Sequence, residues 1–166
     1  MEQKAVAFTG PSGSGKTTLI EKIALRLAGE KRLAIVKHDP SDKAQFDEKG
    51  KDSDRFYRAG AEVVVASPTR TTLFSHRSRE IEEIANLFGE FDLMMVEGLK
   101  TLPLPRIGVF RGRIDPAYLP VLQAVAVDES VDLTAIDLPA DVTVLDLNDI
   151  DAVIGWIERH AIPMKG

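Results

Sequence analysis

From Gly10 to Thr17 the chain reads Gly-Pro-Ser-Gly-Ser-Gly-Lys-Thr, which satisfies the pattern G-x-x-x-x-G-K-[ST]. The chemistry of that spacing is the binding of a polyphosphate. Glycines at 10, 13 and 15 let the backbone turn tightly and bring successive N–H groups to an anion with no Cβ in the way. A helix opening directly after the loop adds the positive end of its dipole. Lys16 contributes a full charge over the β and γ phosphates, and the Thr17 hydroxyl is placed to ligate the Mg²⁺ that bridges them. The binding run is therefore Gly10, Pro11, Ser12, Gly13, Ser14, Gly15, Lys16, Thr17 and Thr18.

Such a loop also needs carboxylates for the metal. In Phe91-Asp92-Leu93-Met94-Met95-Val96-Glu97-Gly98, one acid precedes an apolar run and the other ends it. At strand spacing the two lie roughly 16 Å apart and cannot share an ion. Ligands collect at the carboxyl ends of parallel strands, which selects Glu97 and leaves Asp92 as a strand-entry residue. Gly98 is read as leaving room beside Glu97 for a ligand. A second acid could come from Asp47 or Asp52 around Gly50, although a charge-rich loop of this kind is equally readable as solvated surface.

The elements that must position these groups follow from apolar patterning. Ala5–Phe8 is a buried strand leading into the glycine loop, and a helix runs from Thr17 with Leu19, Ile20, Ile23, Leu25 and Leu27 near helical spacing and Gly29 as its stop. Leu33–Val36 is the next strand, which completes a βαβ unit. Residues 38–51 read as a surface loop, and Asp52–Ala59 as a short helix. Val63–Val65 and Thr71–Phe74 are strands about a turn at Ser67-Pro68, followed by a helix between Ser78 and Phe88. Asp92–Val96, Ile107–Phe110, Ala124–Val127 and Val142–Leu145 are further strands, and a last helix carries Val153, Ile154, Trp156 and Ile157 behind a cap at Asn148 or Asp149. Alternating strands and helices predict an α/β fold of the P-loop type, with a mostly parallel sheet and helices on both faces. The length of 166 residues suits a single nucleotide-binding domain over 1–166.

Composition narrows the function. A net charge of −5, from 26 acidic against 21 basic side chains, offers no field to attract a nucleic-acid backbone. The absence of cysteine removes disulfides, thiolate metal sites and thiol catalysis. No apolar stretch reaches the ~20 residues of a membrane span, and the first apolar run is too brief for a signal-peptide core. A cytoplasmic protein without nucleic-acid or membrane partners is expected.

Taken together, Gly10–Thr17, the run Phe46-Asp47-Glu48-Lys49-Gly50-Lys51-Asp52-Ser53-Asp54-Arg55, Ala59-Gly60-Ala61 and Val96-Glu97-Gly98-Leu99-Lys100 resemble the molybdopterin-guanine dinucleotide biosynthesis adaptor family, often called protein B of that pathway. The resemblance covers most of the chain, and Leu145-Asp146-Leu147-Asn148-Asp149 extends it to the entry of the last helix. It implies GTP with Mg²⁺ as the bound group, weak GTP hydrolysis, a homodimer, and partnership with the nucleotidyltransferase that attaches GMP to the molybdenum cofactor, with molybdopterin itself a candidate ligand. It also implies that Lys16 is the phosphate lysine, that Lys16, Asp47 and Glu97 carry what hydrolysis there is, that Thr17, Asp47 and Glu97 serve the metal, and that Lys51, Asp52, Ser53 and Arg55 form a switch-like loop. Lys49 stands where the family often has proline.

Several residues stay open at this stage. His38, at the end of the second strand, could approach a phosphate or pterin or be a hydrogen-bonded structural residue. Arg111 and Arg113, spaced to share a face in a short strand, could clamp an anion from a partner subunit or line a wet edge. Trp156 is simplest as core. A small-molecule kinase on the same fold, with a hydroxyl substrate near Asp47, is the alternative function; it would need an arginine-rich lid, and the comparable cluster, Arg106, Arg111 and Arg113, reads as strand and not as a mobile helix pair. No N-K-x-D or T-K-x-D segment for reading guanine is present, so the preference for GTP rests on the resemblance.

Overall fold

The computed structural model describes residues 2–164. Its elements in chain order are β1 (Lys4–Thr9), α1 (Lys16–Leu27), β2 (Leu33–Lys37), α2 (Asp52–Arg58), β3 (Val63–Ala66), β4 (Thr71–Phe74) and α3 (Ile81–Phe88). After these come β5 (Leu93–Glu97), β6 (Arg106–Phe110), β7 (Ala124–Val127), β8 (Thr143–Asp146), α4 (Ile150–His160) and β9 (Ile162–Pro163), with 3₁₀ turns at Pro116–Val121 and Leu133–Ala135. They fall into two compact units, Met1–His38 with Phe88–Gly166, and Asp39–Leu87.

The first unit is a seven-stranded sheet in the order β2-β5-β1-β6-β7-β8, with β9 on the side of β1. All six strands of the main path run parallel, and only β9 is antiparallel, against Lys4 and Ala5. This is the mostly parallel α/β fold that the strand-helix alternation predicts. β1 sits mid-sheet because its run from Ala5 to Phe8 is apolar on both sides and every one of those residues is fully buried. Helical segments of the described residues are all too short or too polar to cross a membrane.

Register decides which side chains meet. Val6 lies beside Met95, Phe8 beside Ile107, Ile107 beside Ala124, and Ala126 beside Leu145, so these residues form one face. Leu19, Ile20, Ile23 and Leu27 of α1 and Val153, Ile154, Trp156 and Ile157 of α4 close over it as one core. Trp156 is core, as its place on the apolar stripe predicts. On the opposite face, Phe110, Val125 and Val127 pack with Ile114, Leu122 and the turn at Pro116–Val121. Gly108 is needed there, because a Cβ would come within 2.6 Å of Leu122 and Phe110.

Leu25 departs from the reading of α1. It is 70% exposed, because Leu19, Ile23 and Leu27 repeat at four-residue steps and a residue two positions from Ile23 and Leu27 points to the far side. Asp149 settles the cap of α4 by accepting from the Ala152 N–H at 3.0 Å.

In the second unit β3 and β4 form an antiparallel hairpin of their own, with Val63 opposite Phe74, and are not part of the parallel sheet. The turn between them is tied by Ser67, whose Oγ accepts from the N–H groups of Thr69 and Arg70. Tyr57 of α2 stacks on His76 at 3.9 Å between ring centres.

At the amino ends of the strands, Asp92 enters β5 as the sequence suggests and grips the start of β2. Its Oδ2 accepts the Arg32 N–H at 2.7 Å and its Oδ1 lies 3.2 Å from the Arg32 guanidinium. The hydrogen bond from the Arg32 side chain holds this carboxyl below the usual aspartate range. A folded value below the unfolded one gives stability that is present above the unfolded value and lost as pH falls through the folded one. Asp92→Asn is therefore expected to lower the urea midpoint at neutral pH, with the gap to the parent protein closing in acid. A gap that stays constant down to acid pH would assign the effect to packing instead.

Candidate functional site

The loop between β1 and α1 is shaped by two glycines. A Cβ on Gly10 would come within 2.3 Å of the Val109 carbonyl oxygen, so only glycine allows β1 to leave the sheet this close to β6. Gly15 caps α1 with φ of 96°, a left-handed conformation that glycine adopts without strain. α1 has no side-chain cap and no acidic residue in its first turn. Its first N–H groups are thus left to whatever the loop encloses.

A cleft of about 460 Å³ opens over this loop. Its lining includes Pro11 through Thr18, and the charged side chains in it are Lys16, Lys37, Arg111 and Glu97. Three cations against one carboxylate make a positive pocket on a chain whose net charge is −5. Of the predicted run, Pro11 to Thr18 line the cleft, with Thr17 and Thr18 exposed, while Gly10 is buried beneath them. Ser14 is 3% exposed and its Oγ has no hydrogen-bond partner. A buried hydroxyl without a partner costs about 1–3 kcal/mol, and this one lies 3.2 Å from where a Cβ of Gly10 would be, beneath the loop.

Lys16 folds back over the loop. Its ammonium donates to the Gly10 carbonyl and lies 3.9 Å from the Glu97 carboxylate. Burial pushes its pKa below the ordinary lysine value, the Glu97 charge opposes that shift, and Lys100 and Lys37 add to it. The lysine is thus partly dehydrated and loosely paired, a state in which an anion gains more than it would from a solvated ammonium.

Glu97 ends β5 beside Phe8 of β1 and Lys37 of β2, at the carboxyl edge of the sheet. The turn that follows is held by Arg106, which is 1% exposed and donates to the carbonyls of Gly98, Leu99 and Leu102. These three acceptors stand in for a carboxylate, and burial holds the guanidinium below the ordinary arginine value. Leu99 takes a φ of 49° in this turn, a left-handed conformation uncommon for a residue with a side chain.

The reading of Gly98 as room for a ligand is overturned, because that room is occupied: a Cβ there would meet the Cβ of His38 at 3.0 Å. His38 itself is exposed, and its N–H donates to the Glu97 carbonyl at 3.0 Å. Arg111 and Arg113 lie beyond the end of β6 and not on a strand, since Gly112 with φ of 76° turns the chain between them. Arg106 is buried and engaged, so Arg106, Arg111 and Arg113 do not make a lid.

Asp47 belongs to the second unit, where its Oδ1 accepts from the Glu48 N–H at 2.8 Å and its Oδ2 is buried without a hydrogen-bond partner. Lys51 caps α2, and Asp52, Ser53 and Arg55 lie within it, so that block is helix and not loop after Lys51. Among the described residues no three His, Asp or Glu side chains gather into a metal-holding group. Lys37, absent from the sequence reading, joins the cleft because its strand is two places from β1 in the sheet; the carboxyl end of an edge strand was the available signal.

The family model described as molybdopterin guanine dinucleotide synthesis protein B matches residues 5–128. The chain is 34% identical over 162 residues to the molybdopterin-guanine dinucleotide biosynthesis adapter protein of Haemophilus influenzae, covering 93% of this chain and 87% of that protein. It is 33% identical to the adapter protein of Escherichia coli, covering 93% and 94%. In structure it is similar to Bacillus subtilis MobB, with a TM-score of 0.75 at 23% identity over 95% of this chain and 98% of that one.

The lowered pKa of Lys16 has a consequence for the cleft. Affinity for inorganic tripolyphosphate is expected to fall as pH rises through a value below the ordinary lysine range, and Lys16→Arg is expected to hold its affinity to higher pH. Parent and variant losing affinity together would contradict the assignment.

Proposed function

The chain belongs to the molybdopterin guanine dinucleotide synthesis protein B family, and on that premise we propose that it is a GTP-binding adapter in molybdenum-cofactor biosynthesis. The observation that carries the nucleotide part is the cleft over the Gly10–Thr17 loop, lined by Lys16, Lys37 and Arg111. Main-chain amides of the loop hold the phosphates, and Lys16 leaves the Gly10 carbonyl to reach them. The residues fit magnesium as well: the exposed Thr17 hydroxyl and Glu97 would hold it, and it would neutralise charge between the phosphates. The magnesium role of Asp47 rests on the family resemblance alone.

Hydrolysis is slow in this reading. Among the described residues no glutamine lines the cleft to orient an attacking water, and Lys16 with magnesium supplies only part of the charge stabilisation a fast hydrolase needs. An adapter also needs a surface for its partners, here the nucleotidyltransferase that attaches GMP and a second copy of the chain. The second unit supports this with exposed apolar side chains, among them Phe46 at 85%, Phe56, Val64 and Leu73.

Calorimetric competition of GTP against ATP with magnesium tests the reading. GTP is expected to bind more tightly, and Lys16→Ala is expected to lose measurable binding with its circular dichroism unchanged. Equal or ATP-biased affinity would overturn the base assignment, and triphosphate turnover that depends on an added alcohol or nucleoside acceptor would replace the adapter with a kinase.

A further inference from the structure

We propose that Arg111 is a second phosphate-binding cation of the cleft, supplied by the same chain and aimed by Asp128. The inference rests on the nucleotide-binding reading above and names a residue that the Gly-Lys-Thr pattern does not contain. Arg111 directly follows β6, the strand beside β1, at its carboxyl end. Its guanidinium lies against the end of the phosphate loop: Cζ and Nη2 are each 3.2 Å from where a Cβ of Gly15 would be. The missing side chain of Gly15 therefore admits this cation to the cleft that Lys16 and Glu97 also line.

The hold on Arg111 is one-sided. Its Nε lies 3.4 Å from Asp128 Oδ2, the ion pair that holds it. Asp128 is 15% exposed at its side chain while Arg111 is 49% exposed, so the anchor is sheltered and the working end is open. The Ser130 N–H donates to Asp128 Oδ1 at 3.0 Å, the Ser130 hydroxyl donates to the same oxygen, and the Ser130 Oγ accepts the Gly112 N–H at 2.7 Å. One network thus fixes the backbone after Arg111 and the carboxylate that grips its side chain. The Ser130 hydroxyl, more than any other neighbour, keeps this carboxyl below the ordinary aspartate range and so ionised.

A guanidinium carries five N–H donors in a fixed fork, suited to two oxygens of a phosphate. Cζ, Nη2 and Nε lie 3.2–3.4 Å from where a Cβ of Gly15 would be, so the Nε–Nη2 edge of the guanidinium is the part against the loop. A purely structural surface ion pair gains little from such an arrangement. An oxyanion on the loop amides would receive Lys16 from one residue and Arg111 from another, both from one chain.

The test is titration of the full chain with inorganic tripolyphosphate and with magnesium-GTP, for the parent, Arg111→Ala, Arg111→Lys, Asp128→Asn and the double variant. Arg111→Ala is expected to weaken both ligands by a similar factor, roughly 10- to 100-fold, and Arg111→Lys to recover part of it. Asp128→Asn is expected to weaken binding less, and to add nothing once Arg111 is gone. Unchanged affinity in Arg111→Ala, or a loss confined to GTP with tripolyphosphate unaffected, would overturn the proposal, the latter by placing Arg111 on the base. If Arg111→Ala does not fold, Arg111→Lys against Arg111→Gln carries the comparison. Failure of the parent itself to bind either ligand would sink the nucleotide reading, whereas binding by the parent with an unaffected Arg111→Ala sinks this inference alone.

Discussion

An anion site made of main-chain amides requires that those amides have no other use, and the rest of this molecule is arranged around that requirement. A strand that stays in its sheet spends its N–H groups on neighbours, and a capped helix spends its first turn on the cap. Here β1 leaves the sheet at Thr9, α1 begins without a side-chain cap, and the loop between them is packed so close to Val109 that Gly10 cannot carry a Cβ. The loop keeps its shape because the strand before it and the helix after it are both packed into the core, while the Ser14 N–H turns back onto the Pro11 carbonyl. Ala5 to Phe8 are fully buried, and Leu19, Ile20, Ile23 and Leu27 lock α1 to the sheet. The stability of the core and the readiness of the site are the same fact seen from two ends.

Charge follows the same logic. The chain is acidic overall, yet Lys16, Lys37 and Arg111 converge on one cleft with Glu97 alone to oppose them. Each comes from the carboxyl end of a strand or from the loop itself, because that edge of a parallel sheet is where chain reversals bring side chains together. Arg106 plays a different part. It is buried beneath the turn that carries Glu97, satisfied by three carbonyl oxygens, and fixes the turn instead of meeting a ligand. Two arginines five residues apart thus differ in surroundings because one lies inside the strand and the other beyond its end.

Much of this was legible in the residue order. The Gly10–Thr17 run, the buried strand before it and the apolar stretch ending at Glu97 specify an element sequence that fits one sheet edge, and the parallel sheet follows from the alternation of strands and helices. What escaped was whatever depends on packing across the sheet. Leu25 reads as apolar spacing but faces solvent, because the stripe of α1 had already been filled at four-residue steps. Gly98 reads as space for a ligand, but His38 from the end of β2 occupies it, a contact between residues distant in sequence. The side of Arg111 on which its charge would act was undecidable until the partner carboxylate, Asp128 at the end of the next strand, was in place. The hairpin β3–β4 shows a different limit: its two strands were recognisable, but their separation from the parallel sheet was not, since strand patterning says nothing about which sheet a strand joins.

The most direct test is a crystal structure of the chain with magnesium and a non-hydrolysable GTP analogue. The phosphates are expected within the loop from Gly10 to Thr17, with the Lys16 ammonium moved from the Gly10 carbonyl onto a phosphate oxygen. A nucleotide bound elsewhere, with Lys16 still resting on Gly10, would contradict the account.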